Sequence, residues 1–258
     1  MTATVNDKAT TLLNLHRAPE VLQLINVWDV ISATVIADLP GTTALATAGH
    51  SIAASYGYVD GTMPLELMLE AVGRITNSTE LPVTADLEAG FGNPGETVRR
   101  AIAVGVVGAN IEDRMIPLAD AVRQVSDVVT AGRAEGIDFV LNARTDAFAR
   151  GQGRDPKEVL ADAIERGKAF LEVGASTVFV PGLLDEPTVI ALVDALGHNR
   201  LSVINVPGSL APARLQALGV ARISYGPFTQ RVALTALADA ATAILAGGAL
   251  PEGTRALN

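Results

Sequence analysis

The chain predicts an α/β fold, a closed (β/α)8 barrel of the TIM type that forms one domain over residues 1–258, and three observations carry this expectation. Short β-branched runs alternate with longer amphipathic stretches along the whole sequence, the pattern of repeated βα units around a parallel sheet. Eight such units fit into the 258 residues with no linker, charge run or break between them. Punctuation falls where the units need it: Asp155-Pro156 reads as an N-cap and first helical residue, and Gly105, Gly136, Gly174 and Gly219 lie just past helical stretches. A doubly wound open sheet is the rival of similar composition.

In chain order, 10–17 is an extra N-terminal helix ahead of the first strand, 21–26, which an aliphatic helix over 30–38 follows. The second strand, 43–47, leads into a glycine-flanked turn carrying His50 and then a helix over 65–75. A third strand at 82–87 precedes a glycine-rich turn and a helix over 96–104, and a fourth at 107–112 precedes a long amphipathic helix over 118–135. Strand five, 139–144, ends on Arg144 and is followed by a helix over 156–173. Strands over 177–181, 201–206 and 222–225 complete the eight, with helices over 186–196, 210–218 and 228–246. The last helix is alanine-rich and, over 232–246, too apolar to face water on a lone barrel, so a homo-oligomer is expected.

Composition excludes several function classes. The chain carries 28 acidic against 19 basic side chains, a net charge of −9, which argues against nucleic acid or an anionic membrane as partner. Hydrophobic residues make up 49% and charged ones 18%, enough for a large core and too apolar for disorder. There is no cysteine, so thiolate nucleophiles, zinc-thiolate sites and disulfides are all removed. Apolar runs break well before the roughly 20 residues of a membrane span. The polar first 17 residues, with Asp7, do not read as a secretory signal, and a soluble cytoplasmic protein is expected.

In a barrel the chemistry sits where strands end. Asp86 and Glu88, in Thr84-Ala85-Asp86-Leu87-Glu88, are two apart and share one strand face, and Glu112 from the next strand adds a third carboxylate. Like charges this close repel unless a proton or cation intervenes, and an all-oxygen set without histidine suits Mg2+ or Mn2+ better than zinc. The bland alternative is a group of solvated carboxylates that merely start helices. Arg144 suits a bidentate grip on a substrate carboxylate, with an ion pair to Asp146 or Glu112 as its structural alternative. His50 is a candidate base. Gly90-Phe91-Gly92-Asn93-Pro94-Gly95 matches G-x-G-x-x-G, but the acidic Asp86, Glu88 and Glu96 crowd the helix start where a pyrophosphate would sit, so an NAD-binding oxidoreductase is the weaker reading.

At these residues the chain resembles the isocitrate lyase/phosphoenolpyruvate mutase superfamily, in particular its phosphonomutase-like branch. The matching stretches are Asn26-Val27-Trp28-Asp29, the run from Ala48-Gly49-His50 to Gly57 with Asp60, Ala85-Asp86-Leu87-Glu88-Ala89-Gly90-Phe91-Gly92, Asn110-Ile111-Glu112-Asp113 and Ala143-Arg144-Thr145-Asp146-Ala147-Phe148. The resemblance implies a barrel that assembles as a homo-oligomer, dimer or tetramer, with C-terminal helices exchanged, and that uses Mg2+ to make or break C–C or P–C bonds beside a 2-oxo acid through an enolate-like species. It makes Asp86 a metal ligand, Glu88 and Glu112 water-mediated metal carboxylates, and Asp60 a carboxylate near the metal. It sets the oxo acid or phosphonate against Arg144 and Gly49, with Trp28, Thr47, Ala48 and Asn205 beside them, and leaves Arg144, Asp60 and His50 as the catalytic set.

The departures narrow this. Lyases of the family carry a cysteine in a K-K-C-G-H loop that a cysteine-free chain lacks. The mutase has Trp-Ser-Gly where this chain reads Thr47-Ala48-Gly49, a histidine where it reads Pro181-Gly182, and an inserted lid where Glu112-Asp113-Arg114-Met115-Ile116-Pro117 runs almost directly into a helix. A Mg2+-dependent lyase- or phosphonomutase-like enzyme is expected, and a barrel that keeps Mg2+ and an oxo acid but has lost turnover is the alternative.

Overall fold

The first helix opens on a capping box. Thr4 and Asp7 exchange side-chain and backbone hydrogen bonds, which starts helix α1 (Val5–Arg17) well ahead of the expected 10–17. Ala9, Leu12 and His16 share the buried face of α1. That face plugs the N-terminal end of the barrel: a Cβ on Gly108 would lie 2.9 Å from Leu12 and 2.7 Å from the Val140 carbonyl, so only glycine leaves room for the plug. The computed structural model described here covers residues 3–257.

All described strands are parallel: β1 (Leu22–Leu24), β2 (Asn26–Val27), β3 (Leu45–Thr47), β4 (Val83–Asp86), β5 (Gly108–Glu112), β6 (Val140–Arg144), β7 (Thr177–Val180), β8 (Leu201–Ile204) and β9 (Arg222–Ser224). The hydrogen-bonded order runs β1-β9-β8-β7-β6-β5-β4-β3-β2. The single first strand expected over 21–26 is therefore two segments, one paired with β9 and the other with β3, with Ile25 between them. They are halves of one stave, split because barrel closure staggers neighbours along the strand and each half finds only one of them in register. Eight staves in a nearly closed ring result, as the repeated βα pattern predicts.

The helices are α2 (Val30–Ala37), α3 (Gly49–Ser55), α4 (Leu65–Asn77), α5 (Pro94–Ala103), α6 (Leu118–Ala134), α7 (Pro156–Glu172), α8 (Glu186–Leu196), α9 (Pro212–Ala217) and α10 (Phe228–Leu245). Most boundaries differ from expectation by a residue or two, and prolines explain two shifts, since Pro94 and Pro212 each sit in the first turn. One element is a correction: His50 lies in α3, not in a turn, because His50 to Ser55 holds neither glycine nor proline and buries Ile52 and Ala53. The glycine-rich run after β4 enters an outer helix, with the Asn93 side chain accepting the Glu96 N–H at 3.2 Å. A closed ring is not the open doubly wound sheet that the dinucleotide reading requires.

Strand alternation layers the interior. Thr47, Asp86, Glu112 and Arg144 close the C-terminal ends of their strands and line the mouth. One step below lies a polar layer in which the Asn142 amide donates to Asn110 Oδ1 (2.8 Å) and Ser202 Oγ (3.2 Å) and accepts from Thr177 (2.7 Å). Aliphatic residues of the strands' other face and of the helices fill the space outside the ring. α10 is different: Gln230 is its one buried residue, its amide donating to the Ser51 carbonyl, while Val232, Leu237 and Leu245 face solvent. No described helix is long and apolar enough to cross a membrane.

Candidate active site

A pocket of about 720 Å3 opens at the C-terminal mouth, where strand ends from β2 round to β9 meet. Its floor is acidic. The Asp86 carboxylate accepts the Gly49 N–H at 3.2 Å, and the Asp86 N–H donates to Thr47 Oγ1 at 3.0 Å, so the loop after β3 fixes the end of β4. A Cβ at position 49 would lie 3.1 Å from Asp86 Oδ2, a tight approach that glycine avoids. Burial raises the Asp86 pKa despite the attraction of Arg144, and Glu112 adds to the rise.

Glu88 and Glu112 stand beside it, each with an 11% exposed side chain. Burial, reinforced by the like charges of Asp86, Asp60 and Glu112, lifts Glu88 to about 7 against the pull of Arg114. Glu112 is gripped from both sides, by Arg144 Nη1 at 2.9 Å and Arg114 Nε at 2.8 Å. Arg144 also places Nε 2.7 Å from Asp146, which in turn meets Arg150 at 3.4 Å. Both partners named for Arg144 in its structural alternative are thus present, and its guanidinium still lines the pocket.

Backbone strain gathers at the same place. Glu88 (φ 54°), Arg114 (φ 46°) and Met115 (φ 56°) adopt left-handed conformations that cost non-glycine residues about 1–3 kcal/mol each. The turn through 114 and 115 aims Arg114 back over the acidic floor, where it also approaches Glu88 at 3.7 Å. Asp113, adjacent in sequence, points the other way. It is buried against Arg166 (3.0 Å) and accepts the Met115 and Asp146 N–H groups, so it ties the loops after β5 and β6 together.

The other expected residues divide. Thr47, His50 and Asp60 line the pocket, with His50 and Asp60 3.5 Å apart at the exposed rim. Trp28 packs against the core and Ala48 is buried as the N-cap of α3; neither is a pocket-lining residue. Asn205 is not in the lining either, and its amide donates to the Leu210 carbonyl at 2.9 Å to hold the loop after β8. Arg114, Arg150 and Phe179, none of them a candidate from the sequence, also line the pocket. The arginine following Glu112-Asp113 was the available signal for the first; nothing local marks the other two.

No three described His, Asp or Glu side chains close around one point as a complete protein metal site. The donors nonetheless fit a hard cation that retains much of its water shell and is held by one or two carboxylates. Asp86, Glu88 and Glu112 offer only oxygen, and the like-charge repulsion that adds to burial in lifting Glu88 is what such a cation relieves. A pH effect follows directly. Because Glu88 titrates near 7 in the fold and near 4.5 when free, the unfolded chain releases its proton first, and this residue makes stability fall as pH rises from about 4.5 to 7. In melts across that range without added metal, Glu88→Gln is expected to flatten the Glu88 contribution, and an unchanged profile contradicts the assignment.

The family model for phosphoenolpyruvate phosphomutase matches residues 12–245. A crystal structure from Burkholderia cenocepacia J2315, assigned only provisionally as a phosphonomutase, superposes with a TM-score of 0.86 at 36% identity over 93% of this chain and 99% of that one. Oxaloacetate acetylhydrolase, solved with its product oxalate, gives a TM-score of 0.85 at 26% identity over 96% and 91% of the two chains. The 2-methylisocitrate lyase of Escherichia coli strain K12 is 30% identical over 68% of this chain and 62% of its own length.

Proposed function

Because the chain belongs to the phosphoenolpyruvate phosphomutase family, we propose that it is a Mg2+-dependent enzyme that breaks or forms the C–C or P–C bond beside the oxo group of a small 2-oxo acid. Its relatives make it an enzyme of the lyase and phosphomutase kind; the metal and the substrate class are our reading. One observation carries that reading. A guanidinium, Arg144, lines the same pocket as the carboxylates Asp86, Glu88 and Glu112, while its own partners, Glu112 and Asp146, hold it in place.

In this reading Asp86, Glu88 and Glu112 would hold the cation, one or two of them directly and the rest through its waters. When bound, Mg2+ supplies positive charge to the oxo oxygen as negative charge develops there. Arg144 takes the substrate carboxylate as a planar fork whose orientation Asp146 maintains. Thr47 keeps Asp86 in position through its backbone N–H. Phe179 and Ile204 give the pocket an apolar wall that limits water. His50, oriented by Asp60, is the proton carrier at the rim. Calorimetry with oxalate, with and without Mg2+, and turnover on a panel of 2-oxo acids test the reading; a protein that binds neither refutes it.

A second reading, binding without turnover, draws on the short connection of residues 113–117 between β5 and α6, which leaves little chain to cover the mouth. Tight Mg2+-dependent oxalate binding with no turnover on any 2-oxo acid would favour it.

We also propose a homo-oligomer, dimer or tetramer, built on α10. Val232 (71% exposed), Leu237 (64%) and Leu245 (89%) are too apolar to leave on a stable monomer's surface. Light scattering at micromolar concentration is expected to show an oligomer that Leu234→Glu with Leu237→Glu dissociates. A wild-type monomer would end the proposal.

A further inference from the structure

Arg222 is the largest side chain that the fold buries completely, at 1% exposure. It lies on β9 in register with Ser202 of β8 and Leu22 of β1, two residues below Ser224, which lines the mouth. Strand alternation therefore directs it into the barrel, into the polar layer beneath the acidic floor. Among the described residues it takes part in no ion pair, and its Nε and Nη1 have no hydrogen-bond partner.

The surroundings do not neutralise it. Below, His16 donates Nδ1–H to the Leu12 carbonyl at 2.8 Å, which leaves Nε2 without a proton. Burial and the nearby Arg222 together keep that ring neutral, with its pKa lowered to about 3. Arg222 itself is lowered to about 10 by burial, with Asp86 the charged group that favours its cation, so it stays charged at neutral pH. Packing alone does not call for such a group, since a methionine fills similar space without the desolvation cost of a buried unpaired cation.

The mouth shows what the charge is for. Its lining carries five carboxylates, Asp60, Asp86, Glu88, Glu112 and Asp146, against Arg114, Arg144 and Arg150. When these are ionised, a divalent cation brings the mouth only to neutrality, and an oxo acid is an anion. We propose that Arg222 is a positioning residue that supplies a fixed positive charge under the carboxylate floor, favouring the anionic substrate at some cost to the affinity for the metal. This rests on the Mg2+ and oxo-acid reading above. Arg222 touches no ligand and is not a catalytic residue.

The two signs make the test. Calorimetry is run on the full chain for Mg2+ alone and for oxalate at saturating Mg2+, with the ligand-free melting temperature measured alongside. Arg222→Met is expected to weaken oxalate binding roughly tenfold while Mg2+ binding alone tightens and the melting temperature holds or rises. Arg222→Lys, which keeps the charge, is expected to restore both affinities. Affinities that fall together, or stay unchanged, overturn the proposal and leave Arg222 structural. If neither Arg222→Met nor Arg222→Gln folds while Arg222→Lys does, the charge serves the fold and the proposal again fails. A wild-type protein that binds neither Mg2+ nor oxalate refutes the functional reading, and this inference with it; that result is distinct from any variant effect.

Discussion

Arg144→Lys is expected to lower oxalate affinity at saturating Mg2+ by about 1–3 kcal/mol, roughly five- to 150-fold, while the barrel stays folded. The geometry explains why the loss falls on binding. Arg144 uses Nη1 for Glu112 and Nε for Asp146, so its plane is held from two sides and its outer edge is preorganised toward the pocket. A lysine keeps one charge near Glu112 but has no second arm for Asp146 and no planar fork for a carboxylate. Part of the Asp146 interaction survives through Arg150 at 3.4 Å, which limits the damage to stability. Wild-type oxalate affinity in a variant whose ligand-free melting temperature drops would make Arg144 a structural ion-pair residue, and the oxo-acid reading would then lose its anchor.

Asp86→Asn is expected to abolish the thermal response to Mg2+. In the wild-type protein, Mg2+ at a hundredfold excess over its Kd should add about 2.7 kcal/mol by mass action, roughly 5–10 °C for a domain of this size. Asparagine keeps the size of the side chain and an acceptor for the Gly49 N–H, so the connection between the β3 loop and β4 is conserved. The ligand-free melting temperature should hold or rise, because burial outweighs the attraction of Arg144 and the fold already disfavours the Asp86 charge. Differential scanning calorimetry with and without Mg2+ checks both halves. A variant that still responds to Mg2+ like the wild type would remove Asp86 from the metal site.

How much of this was legible in the residues differs from element to element. The βα rhythm was, because strand and helix periods are local, and Asp155-Pro156 marks a helix start without help from the rest of the chain. α3 was missed because a seven-residue helix between glycines carries little periodic signal, and its stability comes from burying Ile52 and Ala53. Asp86 and Glu112 could be placed together because adjacent strands of a parallel sheet end side by side. Glu88 lies past the end of β4 with a left-handed backbone, so the loop and not the expected strand alternation brings it to the pocket. Asn205, equally near a strand end, is not in the lining, because the loop it belongs to folds back and takes its amide. Nothing within a few residues of position 205 encodes that return.

The sequence by itself determined the fold class, the eight-stave count, the position of the acidic cluster at the mouth and the cysteine-free, oxygen-rich chemistry available there. Each is a property of composition, local period or strand parity, which act over a few residues. Tertiary structure alone decided that the first stave splits between β9 and β3, that α1 plugs the ring over Gly108, and that Arg114 turns back over the floor. It also decided that Asp113 belongs to Arg166 while its neighbour Glu112 belongs to the pocket, and that Arg222 is sealed inside with no partner for Nε or Nη1 among the described residues. These outcomes depend on barrel stagger and closure, which bring together residues as far apart as Asn26 and Tyr225, and no local pattern carries that long-range register.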